Sequence, residues 1–432
     1  MGKISVRKIL VFLLALFMIA PAHAVSVIND TEVEKLLHKL IAPIAVAADI
    51  PENRLKIHIV NDDDFNAFVH GGEDVFIYTG LLTRIKNPNA LQAVVAHELG
   101  HMIGGHIQQM SARMDAEMKR TMIIQALGVG LMVAGGNPSL GAGVMAGASG
   151  IAKQSMLSFS RDEERVADDL GVDLLVRANI NPNGLITVFE QMQDLTGGME
   201  SKINKNNSNH PLTGERLKNT RDKIKTIKHS GKYKTYSDAE YELVRAKLIG
   251  YLYQEQSVLD RYPYRDTGDA AIYARAIGNM RAGALDSARD GTATLIKRNP
   301  KNPYYYELLG DIEYQLGHYD DSVVAYEKAL NLDSDAPQIQ TALALVLSER
   351  NKPGDNAHGI ELCKMSLLAV PAPLTYWVLA KLYDDGREYW ALAEYYSMNG
   401  DVKKAKKFAK KARQTLKKDS PEYIKSGDIL GK

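Results

Sequence analysis

The sequence of 432 residues predicts an α+β fold that is mostly helical, with a small strand element in its first half and an all-α second half. RLKIHIV (54–60) and DVFIYTG (74–80) alternate apolar and polar residues, which is typical of half-buried strands. Residues 29–48 and 89–106 instead carry apolar residues at helical spacing, and Asn89 is the predicted N-cap of the second helix. The third observation is an internal repeat that fills the second half.

The N-terminus has the three parts of a secretory signal peptide. A basic stretch (3–8) precedes an apolar run (9–20), and small residues at 22–24 form a cleavage pattern. We therefore predict a signal peptide at 1–24 and a periplasmic mature protein; the alternative is an uncleaved anchor. The single cysteine, Cys363, rules out an internal disulfide, so packing must stabilise the fold. The near-zero net charge gives no indication of nucleic-acid binding.

A pair of histidines in VVAHELGHMIGGH (94–106) is the first candidate for chemistry. His97 and His101 stand at i and i+4, so on a helix both imidazoles leave the same face and can bind one ion. Glu98 lies beside them without being forced to ligate. The alternative is an ordinary amphipathic helix with exposed histidines.

An acidic stretch in SFSRDEERVADDLG (158–171) makes the metal interpretation stronger. A catalytic zinc needs three protein ligands and one open position. Glu164 and Asp168 again stand at i and i+4, so Glu164 can supply the third ligand while Asp168 accepts a hydrogen bond from a ligating histidine. Glu163 is a rival ligand that lacks this spacing to Asp168. The two stretches together predict one Zn²⁺ per chain; alone, the second would indicate a solvated helix face.

HELGH followed by S-R-x-x-E-x-x-A-D-x-x-G resembles the gluzincin metallopeptidases that include HtpX-like and CaaX-prenyl-type proteases. The resemblance implies a zincin-type domain in which His97, His101 and Glu164 hold zinc. It also implies that zinc polarises the scissile carbonyl and lowers the pKa of water. Glu98 then takes the proton of this water and returns it to the leaving amine.

Two further segments resemble those of the same family. NAFVHGGEDVFIYTGLL (66–82) resembles its strand segment, and an extended substrate could pair with residues 66–68 or 74–78. NHPLTGER (209–216) resembles its His-Pro segment, which makes His210 a further candidate site residue. His210 could support the oxyanion or occupy the open metal position, and an ordinary loop histidine is the alternative. His70 and His106 are predicted to face solvent and not to ligate.

An apolar stretch at about 121–152 has no charged residue and interrupts the first half. A single membrane crossing would separate His101 from Glu164, and a hairpin would have arms too short to span a bilayer. We predict a helical insert at the surface that contacts a membrane peripherally. Buried packing within the domain is the alternative.

The second half carries about four tetratricopeptide repeats. Gly283 and Gly317 lie one 34-residue period apart, and Gly400 begins a similar unit near the C-terminus. A generic helical bundle is the alternative. The predicted domains are a metallopeptidase domain (25–235), a helical linker (236–268) and an all-α tetratricopeptide-repeat solenoid (269–432). Such a solenoid leaves a concave groove that binds partners.

The leading hypothesis from these features is a periplasmic zinc endopeptidase in outer-membrane protein quality control. Its partners, which the resemblance implies, are unfolded or misassembled outer-membrane proteins and, through the repeats, the beta-barrel assembly machinery. A second hypothesis is a chaperone or scaffold for this assembly with a normally latent protease site. An exopeptidase ranks third, because nothing in the sequence indicates a pocket for an amino terminus.

Overall fold

The structure is a computed structural model that describes residues 27–106, 108–110, 159–196, 210 and 212–431. The predicted signal peptide (1–24) and the predicted apolar insert (121–152) lie outside the described residues. Within the described ranges, no helix combines the length and the apolar character that a membrane crossing requires.

The chain divides into two compact units. The first contains Val27–Ile28 and Leu36–Tyr241, and the second contains Asn29–Lys35 and Glu242–Lys432. The predicted limits of the peptidase domain, linker and repeat domain stay predictions. No sequence pattern indicated that Asn29–Lys35 groups with the second unit.

The first unit combines a small mixed sheet with helices. Its strands are β1 Val27–Ile28, β2 Lys56–Val60, β3 Ala67–His70 and β4 Asp74–Tyr78. Its helices are α1 Thr31–Ala47, whose first turn belongs to the second unit, α2 Thr79–Arg84, α3 Pro88–Ile103, α4 Arg161–Arg177, α5 Gly184–Thr196, α6 Gly214–Thr226 and the start of α7 Asp238–Leu252. The small sheet and the helices that surround it in the sequence confirm the predicted α+β character of this unit.

The sheet has the strand order β1-β2-β4-β3. β4 pairs with β2 in parallel and with β3 antiparallel, so β4 has a partner on both sides. β3 lies at an edge of the sheet and packs against α3. The prediction that residues 74–78 could pair with a substrate strand is therefore wrong, because the backbone groups of this strand are already paired on both sides.

The N-cap of helix α3 lies two residues before the predicted one. Asn87, and not Asn89, caps it, because the Asn87 side chain accepts a hydrogen bond from the Ala90 N–H at 2.8 Å. Pro88 occupies the first turn, where its missing N–H costs nothing. The helix ends at Ile103, and Gly104 is its C-cap.

Glycines allow α3 and α4 to approach closely. A Cβ at Gly100 would lie 2.5 Å from the Ala167 carbonyl oxygen, and one at Gly171 would lie 3.2 Å from the His97 backbone. Any larger residue at Gly100 would have to push the two backbones apart. The small residues of both sequence motifs therefore set the distance between His97 and the acidic residues of α4.

The second unit consists of consecutive helices, most of which pack against the next helix along the chain. They are the remainder of α7, α8 Glu255–Arg261, α9 Asp269–Ala282, α10 Leu285–Arg298, α11 Pro303–Leu316, α12 Tyr319–Leu332, α13 Pro337–Arg350, α14 Asp355–Ala369, α15 Pro373–Leu382, α16 Arg387–Met398, α17 Val402–Thr415 and α18 Pro421–Gly431. Gly283 and Gly317 end α9 and α11 with φ of 81° and 80°, a left-handed conformation that glycine adopts without strain. The predicted all-α, repeat-built second half is confirmed.

A buried charge cluster explains why Asn29–Lys35 belongs to the second unit. The Lys247 ammonium lies 2.8 Å from Asp30, 3.2 Å from Glu32 and 3.2 Å from Glu307. Burial opposes the charge of Lys247, but these carboxylates hold its pKa well above the usual value. The Tyr273 hydroxyl donates a further hydrogen bond to Glu32. Removal of one partner would leave buried charge uncompensated, so the N-terminal segment is fixed to this unit.

Candidate metal centre

The predicted ligands converge on one point in the first unit. His97 and His101 leave the same face of α3, and their Nε2 atoms lie 3.1 Å apart. On α4, Glu164 Oε2 lies 3.5 Å from His97 Nε2, and Glu164 Oε1 lies 3.6 Å from His101 Nε2. All three side chains are buried. The sequence spacing therefore corresponds to a real three-dimensional cluster.

The donor set fits a catalytic zinc site. Two imidazole nitrogens and one carboxylate oxygen are ligands that zinc prefers, and three protein ligands leave a position open. The potential ligand atoms of His97, His101, Glu164 and His210 all lie within 4.8 Å of one another. The structure thus brings His210, already a candidate for the open metal position from the sequence, together with the three predicted ligands.

Glu163, the rival third ligand, has a different role. Its carboxylate accepts a hydrogen bond from the Ser160 N–H at 2.8 Å, and the Ser160 hydroxyl accepts one from the Glu163 N–H. This reciprocal capping box fixes the start of α4. It directs Glu163 to the end of the helix, while Glu164, the next residue, faces α3.

Asp168 lies behind the histidine pair, where the sequence placed it. Its Oδ1 is 2.9 Å from His97 Nδ1, the ring nitrogen that does not face His101. A carboxylate at this position favours the tautomer with a proton on Nδ1 and leaves Nε2 free to ligate. Because Glu164 and Asp168 lie on one face of α4, the first can ligate the metal while the second orients the His97 ring.

Arg216 is a site residue that the sequence analysis missed. From α6, its guanidinium donates two hydrogen bonds of 2.8 Å to the two oxygens of Asp168. A third nitrogen, Nη1, lies 2.6 Å from Glu164 Oε2. Arg216 therefore joins both acidic residues of α4. The available signal was its position at the end of NHPLTGER, the segment singled out for His210.

The prediction that His106 faces solvent is wrong, whereas His70 is exposed as predicted. His106 is buried, and its Nδ1 lies 3.0 Å from His101 Nδ1. The reason is the turn after α3, where Gly105 adopts a φ of 70°. The turn brings His106 to the ring nitrogen of His101 that points away from the cluster. His106 can thus orient His101, as Asp168 orients His97.

Glu98 and His210 lie on the open side of the cluster. His210 Nδ1 is 2.8 Å from Glu164 Oε1 and 3.3 Å from His97 Nε2. Its other nitrogen, Nε2, is 3.5 Å from Glu98 Oε1. Glu98 is buried next to the ligands and is not one of the four clustered donors. A single histidine therefore bridges a predicted ligand and the predicted general base.

The charges around the cluster are strongly coupled. Burial opposes the charge of Asp168, but Arg216 and His97 hold the pKa of this carboxyl below its usual value. The pKa of Arg216 is raised by the same carboxylate in spite of burial. Burial raises the pKa of the Glu98 carboxyl and lowers that of the His101 ring to about 3. Asp168 and Glu164 instead raise the pKa of His97 to about 10 in spite of burial.

The chain is similar to known metallopeptidases. Residues 30–224 match Peptidase family M48, and residues 310–349 match the TPR repeat. The beta-barrel assembly-enhancing protease of Escherichia coli (strain K12) is 24% identical over 341 residues, which cover 77% of this chain and 68% of that protein. Metalloprotease LoiP of the same strain is 31% identical over 163 residues, which cover 37% of this chain and 59% of that protein. These matches confirm the resemblance to metallopeptidases and the presence of tetratricopeptide repeats.

Proposed function

We propose that this metalloendopeptidase, whose residues 30–224 match Peptidase family M48, degrades misfolded or stalled outer-membrane barrel proteins in the periplasm. The observation that carries the proposal is the buried cluster of His97, His101 and Glu164 with Glu98 at its side. The class of substrate follows from the beta-barrel assembly named in its relative. Assistance in the assembly of such barrels belongs to the same proposal.

In this function, His97, His101 and Glu164 hold one zinc ion per chain. The chemistry that zinc supplies in such a site is polarisation of the scissile carbonyl and acidification of water. Asp168 holds the His97 ring in the ligating orientation. Arg216 holds Asp168 and Glu164 in place and balances their charge.

Glu98 acts as the general base. It accepts a proton from the attacking water and returns it to the leaving amine. Its position beside the ligands, and outside the group of clustered donors, leaves its carboxylate available for this transfer. The acid–base step is therefore assigned to one side chain.

The edge strand β3 presents the substrate to this site. β3 packs against α3, the helix that carries both histidines, and has β4 on only one side among the described strands. An extended peptide can form main-chain hydrogen bonds with such an edge. Folded proteins rarely offer a free extended segment, so this mode of binding selects unfolded chains and unpaired barrel strands.

The test of the proposed function compares two states of one substrate. We expect the zinc-loaded protein to cleave an outer-membrane barrel protein that has been unfolded in urea and then diluted into buffer without detergent. The same protein, folded in detergent micelles, should be cleaved far more slowly because its strands are all paired. Equal cleavage of both states, or no cleavage of either by the metal-loaded protein, would contradict the proposal.

The contacts of His210 favour a second function, a chaperone or scaffold whose protease site is normally latent. In the structure, His210 occupies a place among the ligand atoms, close to Glu98 as well. A fourth donor there would fill the position that substrate or water needs. Binding of a partner to the repeats would then favour a state in which His210 is withdrawn.

We expect His210→Ala to increase the rate of casein cleavage. The rate should rise about tenfold if the state in which His210 lies among the ligand atoms is about tenfold more populated than the state in which it is withdrawn. Initial rates at saturating zinc measure the effect. The control is His38→Ala, which changes a partly exposed histidine on α1. A fall in rate would instead support a role in stabilising the oxyanion. Unchanged rate and zinc affinity would exclude both roles.

A further inference from the structure

The C-terminal part of the second unit carries an unusual concentration of positive charge. The whole chain has a formal net charge of +1. Helix α17 alone contains six lysines and Arg413, with no acidic residue. Lys403, Lys404, Lys407, Lys410 and Lys411 are exposed, and we call this set the lysine face. The face is thus a local feature that the overall composition conceals.

Packing of the opposite side fixes the orientation of α17. Ala405, Ala409 and Ala412 recur at helical spacing and are buried, the last two completely. Ala405 and Ala409 pack against Ala393 and Ile429 in one apolar cluster. Small side chains allow close contact between helices, so the alanine side is already used by the fold. The lysine side is directed to solvent.

Few of these charges are neutralised. In the part of the chain that the structure describes, Lys404 is the only lysine of α17 in an ion pair, with Asp401 at 2.9 Å. Aromatic rings lie next to the face: the Lys404 ammonium is 4.9 Å from the Tyr396 ring, and that of Lys411 is 5.2 Å from the Tyr389 ring. These rings hold two of the ammonium groups in place by cation–π contact. The face as a whole keeps its positive charge, and such a surface attracts anions.

We propose that the lysine face binds the surface of a membrane that contains anionic phospholipids. This activity goes beyond peptide cleavage and does not depend on the metal centre. Lys403, Lys407 and Lys410 stand at i, i+4 and i+7, so they form a row on a helix about 21 Å long. A straight, exposed row of ammonium groups matches a flat array of phosphate headgroups. Clusters of four to eight basic residues on amphipathic helices are typical of such binding.

The choice of lysine favours a lipid surface over an acidic protein partner. Arginine is enriched in protein interfaces, where its planar group makes two-pronged contacts, whereas lysine is depleted there. Lysine is a flexible, strongly hydrated point charge, which suits contact with many mobile headgroups. On α17 six of the seven basic residues are lysines. The remaining one, Arg413, is already bound to Tyr423 within the fold at 3.0 Å.

The test measures partition of the full zinc-loaded protein onto vesicles. We expect tight binding to phosphatidylcholine vesicles that also contain phosphatidylglycerol, and much weaker binding to phosphatidylcholine alone. The quadruple variant Lys403→Gln, Lys407→Gln, Lys410→Gln and Lys411→Gln should lose about fivefold in affinity per lysine, or roughly several hundredfold in total. High salt should also lower the affinity of the unmodified protein for the anionic vesicles.

The matched control removes the same number of charges from other parts of the second unit. Lys297, Lys301, Lys328 and Lys364 are all exposed. Their replacement by Gln should change the affinity far less, because these charges do not form one row. An equal loss in both quadruple variants would overturn the proposal. So would binding of the unmodified protein to poly-glutamate but not to anionic vesicles, which would assign the face to an acidic protein.

Discussion

Glu98→Gln should reduce the rate of peptide cleavage by about two to four orders of magnitude, which is the usual contribution of a general base. The amide keeps the size and most of the hydrogen-bonding capacity of the carboxylate but cannot accept the proton of the attacking water. Glu98 is not among the clustered donors, so the variant should bind zinc normally. Initial rates on unfolded substrate and metal content by atomic absorption measure both quantities.

The matched comparison is Glu164→Gln, the same chemical change at the predicted ligand. This variant should lose zinc together with activity, whereas Glu98→Gln should lose activity alone. Near-normal turnover of Glu98→Gln would exclude its role as the base. Loss of zinc from Glu98→Gln would instead show that its carboxylate belongs to the metal site.

Arg216→Met should destabilise the first unit by about 3–5 kcal/mol, the usual cost when one partner of a buried ion pair is removed. Asp168 and Glu164 would keep their charge in a buried site without the guanidinium that now contacts both. The affinity for zinc should also fall by about 10- to 100-fold, because Arg216 would no longer hold the ligand Glu164 or Asp168, which orients His97. Urea unfolding and chelator competition on the folded variant measure these effects.

Two controls make this prediction specific. Arg221→Gln removes a second arginine of α6, one whose partner, Glu190, is exposed; such a pair contributes about 0–1 kcal/mol. Arg216→Lys keeps the charge but cannot reproduce the two-pronged contact, so its zinc affinity should lie between those of the other variants. A zinc affinity of Arg216→Met equal to that of Arg221→Gln would contradict a positioning role.

The local parts of the site could be predicted from the sequence because they follow helical spacing. His97 and His101 are one turn apart in any helix, and Glu164 and Asp168 are as well. The choice between Glu163 and Glu164 also followed from spacing, and the capping box explains it physically. The close approach of the two helices was encoded in Gly100 and Gly171, although only the structure shows which atoms these glycines avoid.

The remaining features depend on tertiary structure. The exposure of His106 was predicted wrongly because a left-handed Gly105 reverses the chain immediately after α3. Residues 66–70 and 74–78 look alike as strands, but only the sheet order shows which one is at the edge. Arg216 is separated from Asp168 by 48 residues, so no local pattern relates them. In the same way, no periodicity relates Asp30 to Lys247.

The charge cluster around Lys247 has a consequence for the order in which the protein can fold. Glu32 is bonded to Tyr273, which follows it by 241 residues, and Glu307 is later still. When the chain is synthesised or exported with its N-terminus first, Asp30 and Glu32 emerge long before Lys247, Tyr273 and Glu307. The interior around Lys247 therefore cannot close before Glu307 has emerged, and this folding step must wait for a residue far from the N-terminus.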